Sequence, residues 1–333
     1  VTKPDVLMPV PLPAALRDGL ARDFNVILPF ESADPEAVLT RIGPTLRFIA
    51  TGVPVIADGV SRPIDAAYMA KFPRLELIAN MGVGYDNIDA AAAAARGVII
   101  TNTPDVLTEE TADAAFGLLL AVIRQLPQAD RYLRAGKWLD KAFPLSASLR
   151  DRVMGIVGLG RIGKAIARRG EAFGLKIAYH GRRRQDDVAW LFYADIAEMA
   201  RACDILMIST PGGPGTRGLV DARILDALGP SGVVINIARG GIVDEDALIA
   251  ALRERRIWSA GLDVFTDEPR VPAELMAMEQ VVLLPHVGSA TGPTRDAMAR
   301  LVVDNLGAFA RGEGPLTPVE ETPWPQQANK ASS

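Results

Sequence analysis

Reactive side chains are scarce in this sequence: 333 residues contain two histidines, His180 and His286, and a single cysteine, Cys203. One cysteine excludes an intrachain disulfide, which makes a reducing, cytoplasmic setting the simplest expectation. No metal site is expected. A long hydrophobic run is missing too. The longest, FGLLLAVI at 116–123, falls far short of the ~20 residues that cross a bilayer. The start, VTKPDVLMPVPLP, lacks the charged, apolar and small-residue regions of a signal peptide. No membrane partner is expected. Nor is there an excess of positive charge: the formal net charge is −4, with basic clusters confined to RRR (182–184) and RERR (253–256), which argues against a nucleic-acid partner.

What is present is a globular composition, 49% hydrophobic and 23% charged, in a chain long enough for two domains. Short apolar runs alternate with amphipathic stretches: NVILPF, LRFIAT, LELIANMG and GVIITN early, then VMGIVGLG, KIAYHG, DILMIST, GVVINIA, WSAGLDVF and VVLLPH. Alternation of this kind predicts two series of βαβ units, each around a parallel sheet. Between them, residues 103–138 open on Thr-Pro, carry a TEET capping pattern and continue with helical periodicity, as a connecting arm would. After His286, one further helix is expected, capped by Ser289 or Thr291 and stopped at Gly312, followed by an extended or loosely attached tail.

The sharpest local signal is VMGIVGLGRIGKAIARRG, in which Gly158, Gly160 and Gly163 form G-x-G-x-x-G between an apolar strand and a helix. The first glycine permits the turn, the second admits a pyrophosphate to the backbone and the third lets helix and strand approach; Leu159, Arg161 and Ile162 complete the loop. An NAD site places Asp or Glu at the end of the next strand. Here that place is held by His180 and Gly181, followed by Arg182, Arg183 and Arg184. Without a carboxylate to repel a 2′-phosphate, and with guanidinium groups to bind it, the pattern predicts NADPH over NADH. It also assigns His180 to the adenosine side, leaving His286 as the one histidine for acid–base work.

Three later segments each end a predicted strand: VVINIARGG with Arg239, AGLDVFTDEP with Asp263 and Glu268, and LLPHVGSAT with His286. In an open parallel sheet such strand ends face one crevice. These motifs, together with LELIANMGVGYDNID and TNTPDVLTEETAD, make the chain resemble the D-isomer-specific 2-hydroxyacid dehydrogenase family, most closely its NADPH-dependent glyoxylate/hydroxypyruvate reductases. The segment PGGPGTRGLVD departs from the family pattern after Thr210. The resemblance implies an α/β fold of two Rossmann-like domains with parallel sheets and a cleft between them: a flavodoxin-like substrate domain (1–101 and 288–333) and a dinucleotide-binding domain (102–287). It implies a homodimer as well.

Carried over position by position, the resemblance makes His286 the proton donor, Glu268 its carboxylate partner, and Arg239 the group that holds the substrate and polarises its carbonyl. It places the substrate carboxylate on the backbone N–H groups of Val83 and Gly84. Asp263 falls where the family contacts the nicotinamide carboxamide, Ile237 and Ala238 where its backbone lines the nicotinamide pocket, and Thr210 in the cofactor cleft. The implied reaction is reduction of a small 2-keto acid, glyoxylate or hydroxypyruvate, to a D-2-hydroxy acid. The alternatives are another 2-keto acid, such as 2-ketogluconate or an aryl pyruvate, or a non-enzymatic NAD(P)-sensing corepressor. Glu268 argues against a formate dehydrogenase, which pairs its histidine with glutamine.

Overall fold

The computed structural model describes residues 3–52 and 63–324. Two compact units emerge, one made of residues 1–107 with 291–333 and the other of residues 108–290.

In the first unit, β1 (Asp5–Leu7), β2 (Asn25–Ile27), β3 (Phe48–Gly52), β4 (Leu77–Met81) and β5 (Ile99–Thr101) form an all-parallel sheet in the order β2-β1-β3-β4-β5. This is the flavodoxin-like order. The strands are joined through α1 (Ala14–Leu20), α2 (Pro35–Ile42), α3 (Ala66–Ala70) and α4 (Ala90–Ala95). Asp34, Asp65 and Asp89 start the last three by accepting the N–H of the residue three positions on. Every residue of β3 and β4 is buried, as expected for parallel strands covered on both faces.

The second unit begins with α5 (Thr108–Ile123) and α6 (Leu126–Arg134). Its Rossmann core follows: β6 (Val153–Val157), α7 (Arg161–Ala172), β7 (Lys176–His180), β8 (Leu191–Tyr193), α8 (Ile196–Ala202) and β9 (Ile205–Ile208). Then come α9 (Ala222–Leu228), β10 (Val233–Asn236), α10 (Glu245–Arg253), β11 (Ser259–Leu262), α11 (Ala273–Ala277) and β12 (Val282–Leu283). The sheet is parallel throughout, in the order β12-β11-β10-β9-β6-β7-β8. Strand order therefore reverses between β6 and β9, the place where doubly wound sheets bind ligands.

Period-two alternation divides each central strand between two cores. Leu206, Ile208 and Val234 join Met199, Ile224 and Leu248 on one face. Ile205, Met207 and Ile235 join Phe116, Leu119 and Ile166 on the other.

Two details sharpen the sequence reading. The arm is mostly helix, in two pieces: Gln125 adopts a left-handed conformation (φ 50°), and the chain divides there into α5 and α6. The final helix, α12 (Gly292–Ala310), is capped by Thr291 as expected; the segment after it is bonded to the sheet edge as far as Trp324, and residues 325–333 of the expected tail lie outside the described residues. Thr322 Oγ1 accepts the Ile100 N–H at 2.8 Å, Val319 N donates to Ile100 O at 2.9 Å, and the Trp324 ring packs edge-on against Phe309.

Candidate active site

The glycine loop leaves β6 at the switch point. Gly158 has φ 94°, and a Cβ there would lie 2.6 Å from Thr210 Cα, so the β9 end presses directly against the turn. A Cβ at Gly163 would collide with the Gly158 carbonyl oxygen, whereas one at Gly160 would meet nothing within 4 Å. Two glycines thus serve close packing and the third leaves open space beside the N-terminus of α7, where backbone N–H groups attract an anion. These features fit a dinucleotide pyrophosphate. Ser209, which the sequence reading passed over, locks the turn by donating to Gly158 O at 2.8 Å.

Beyond β7, His180 Nδ1 lies 3.1 Å from Tyr193 O, and Gly181 leads into exposed Arg182, Arg183 and Arg184. Among the described residues, none of these three guanidinium groups pairs with a carboxylate. A second residue missed by the sequence reading, Gln185, closes this turn: its N–H donates to Tyr179 Oη at 2.8 Å and its Nε2 donates to Leu159 O at 2.8 Å. In a trans peptide the carbonyl and the following N–H point opposite ways, so holding Leu159 O aims Gly160 N–H away from Gln185. The arginine turn and the glycine loop are one hydrogen-bonded unit. With no carboxylate at the end of β7, the site suits a 2′-phosphate.

The reactive residues gather beyond β10, β11 and β12. Asn236, the polar end of an apolar strand, accepts the Ala238 N–H at 3.1 Å and donates to Arg239 O at 2.9 Å, folding Ile237, Ala238 and Arg239 into a fixed turn. Gly240 follows where any Cβ would overlap the Phe265 backbone. Asp263 is 1% exposed, and its carboxylate accepts Val287 N–H at 2.7 Å and Gly288 N–H at 2.8 Å, while its carbonyl accepts His286 N–H at 2.9 Å. Burial pushes the Asp263 carboxyl up, against the pull of those two N–H groups. Three bonds from one aspartate hold His286 at φ 53°, a conformation a histidine rarely adopts without such support.

The His286 ring meets Glu268 at 2.7 Å, Nδ1 to Oε2, and Glu268 Oε1 accepts the Phe265 N–H at 3.0 Å. The carboxylate therefore accepts a hydrogen bond from Nδ1–H and leaves Nε2 as the ring's outward nitrogen. Burial alone would raise the Glu268 carboxyl, but the His286 hydrogen bond and charge, the Phe265 N–H and the Arg239 charge outweigh it and the net shift is downward. Arg239 is thus close enough to act electrically on the pair. Val83 and Gly84 belong to the first unit, in the loop after β4.

A depressed carboxyl contributes stability that is fully present above its unfolded value of about 4.3 and is lost as pH falls through the lower folded value. Glu268→Gln should therefore melt below wild type at neutral pH, and the gap should close as pH drops below about 4. A gap that stays constant with pH would contradict the lowered Glu268 carboxyl.

Comparison with known proteins shows the family. The profile of the D-isomer specific 2-hydroxyacid dehydrogenase NAD binding domain matches residues 116–288. The chain belongs to that family. Glyoxylate/hydroxypyruvate reductase A of Arabidopsis thaliana, a relative, is 44% identical over 314 residues, 94% of this chain and 98% of the relative. Another, the 2-ketogluconate reductase of Gluconobacter oxydans, is 40% identical over 318 residues, 96% and 99% of the two chains. Among solved structures, the NADPH-dependent glyoxylate/hydroxypyruvate reductase of Sinorhizobium meliloti, in complex with NADP and malonate, superposes with TM-score 0.90 at 46% identity, covering 97% of this chain and 98% of that one.

Proposed function

We propose that the protein reduces small 2-keto acids, glyoxylate and hydroxypyruvate foremost, to D-2-hydroxy acids with NADPH, and that His286, Glu268 and Arg239 carry the reaction. The observation that bears most weight is the 2.7 Å contact between His286 Nδ1 and Glu268 Oε2 beside Arg239. When bound, the dihydronicotinamide supplies a hydride to the carbonyl carbon. The carbonyl oxygen then gains charge and needs a proton, and the imidazolium Nε2 provides it. Glu268 keeps the ring oriented and balances its charge. Arg239 polarises the carbonyl and stabilises the developing oxyanion, where a preorganised charge acts most strongly.

In this reading the backbone N–H groups of Val83 and Gly84 take the substrate carboxylate. Leu159, Arg161 and Ile162, with the three loop glycines, hold the pyrophosphate. Gly181, Arg182 and Arg183 hold the 2′-phosphate, Thr210 lines the cofactor cleft, and Ile237, Ala238 and Asp263 surround the nicotinamide. The functional division is a substrate domain of 1–101 with 288–333 and a cofactor domain of 102–287. Chiral analysis of the hydroxypyruvate product tests the reading. D-glycerate alone is the expected result, and the L-isomer or no product contradicts it.

The protein works in the cytoplasm as a homodimer in this reading. No helix among the described residues is long and apolar enough to cross a membrane. The arm exposes Leu126 (52%), Leu133 (55%), Trp138 (68%), Leu139 (93%) and Leu145 (99%), an apolar display that needs covering. Trp138→Glu/Leu139→Glu should shift the light-scattering mass in solution from two chains to one. A wild-type mass of one chain would contradict the dimer.

A further inference from the structure

We infer that Asn80 and Asn102 are positioning residues that set substrate affinity by aiming the N–H groups of Val83 and Gly84 at the substrate carboxylate. The inference rests on the reading of that loop given above.

After β4, three successive carbonyl groups are taken by asparagine amides. Asn80 Nδ2 donates to Gly82 O at 3.2 Å and to Gly84 O at 3.0 Å, and Asn102 Nδ2 donates to Val83 O at 2.9 Å. The Thr103 N–H adds a further bond to Gly82 O at 3.0 Å. Because each trans peptide sets its carbonyl and the next N–H on opposite sides, the N–H groups of Val83, Gly84 and Tyr85 are turned away from the two amides. Among the described residues no acceptor takes them. Consecutive N–H groups presented in this way form a concavity for an anion.

Asn80 is 1% exposed, and its Oδ1 has no hydrogen-bond partner among the described residues. A packing role at that site would be filled by an apolar side chain without stranding an oxygen. Only the donor end of the amide is used, on the two loop carbonyls.

Asn102 is in turn gripped by the C-terminal segment. Its N–H donates to Thr317 O at 3.3 Å, and its carbonyl accepts Thr317 Oγ1–H at 2.6 Å. Thr317 N–H donates to Oδ1 of Asn305, a fully buried residue of α12, at 2.9 Å. Tyr85 Oη donates to Glu321 Oε2 at 2.7 Å, tying the far end of the loop to the same segment. The segment after α12 thus braces the loop through side chains on both sides.

The test compares Asn102→Asp, Asn102→Leu and Thr317→Val with wild type, using oxalate as a competitive carboxylate probe. Asp keeps the shape of Asn102 but has no side-chain N–H to donate, Leu removes the amide without adding charge, and Val removes the Thr317 hydroxyl that bonds Asn102 O and the Asn305 amide. For both Asn102 variants, KM for glyoxylate and Ki for oxalate should rise together by about tenfold, while kcat and the NADPH Kd stay within about threefold; Thr317→Val should show a smaller rise of the same pattern. An unchanged oxalate Ki overturns the inference. So does a joint fall in kcat, NADPH affinity and Tm, which marks a general structural role. A crystal structure of the wild-type protein with NADP and oxalate separates this inference from the reading beneath it. Oxalate on the Val83 and Gly84 N–H groups with an unchanged Ki in the variants refutes the positioning role alone, and oxalate held elsewhere refutes the loop assignment itself.

Discussion

Replacing His286 with alanine should lower kcat for glyoxylate reduction by about 10²- to 10⁴-fold, the range for loss of a positioned general acid, while NADPH affinity is retained. Nε2 is the nitrogen available to a substrate, because Nδ1 is committed to Glu268. The folded state should survive the change. Asp263 grips the turn through the backbone N–H groups of His286, Val287 and Gly288, bonds that do not need the imidazole. Alanine carries some strain at φ 53°, so a modest fall in Tm is expected beside the catalytic loss. Stopped-flow NADPH binding and single-turnover rates check the division. A variant that reduces glyoxylate at the wild-type rate would remove His286 from the chemistry.

The second large effect concerns the cofactor. Arg182→Ala/Arg183→Ala should lower kcat/KM for NADPH by about 10²-fold and leave NADH within about threefold, since charge-assisted bonds to phosphate are lost and NADH has none to lose. The selectivity should fall with added salt in the wild type as well, because both guanidinium groups are exposed and their attraction is screened. The glycine loop should be untouched: Gln185, not the arginines, holds Leu159 O. Equal losses for the two cofactors would show that the turn holds the dinucleotide in general and does not read the phosphate. Steady-state kinetics with each cofactor across a salt series measures both outcomes.

Much of the architecture was legible because its central strands are buried. ILMI is apolar at every position and VVIN at all but its last, and a parallel sheet sandwiched between helices demands that pattern. The three-residue strands β1 and β8 escaped notice: DVL in β1 opens on a charged residue, and LFY in β8 is partly exposed. The break in the arm had one mark in the sequence, Pro127 in the first turn of α6, and Gln125 before it takes the left-handed conformation that parts the two helices.

At the site, charged groups were easier to find than amides. Arg239, Glu268 and His286 stand at strand ends in a telling order, so their chemistry could be read from a line of text. Gln185 and Asn102 act on backbone groups brought near by folding, and Asn80 and Asn236 on the turns that follow them; an uncharged amide looks the same on a surface loop as beneath a binding turn. A faint clue lay in Asn80 and Asn236, polar residues within otherwise apolar strand segments, both of them 1% exposed. The looseness expected of the tail was an error of composition. Proline and polar residues do suit an exposed tail, yet Thr317 and Thr322 use their hydroxyls to bond to the sheet edge at Asn102 and Ile100.

The most direct measurement of the central claim is kcat/KM for glyoxylate, hydroxypyruvate, pyruvate and phenylpyruvate, each with NADPH and with NADH. Turnover of glyoxylate and hydroxypyruvate well above the other two acids, and strongly favoured by NADPH, is the predicted result. No turnover of any 2-keto acid by a protein that binds NADPH would contradict it.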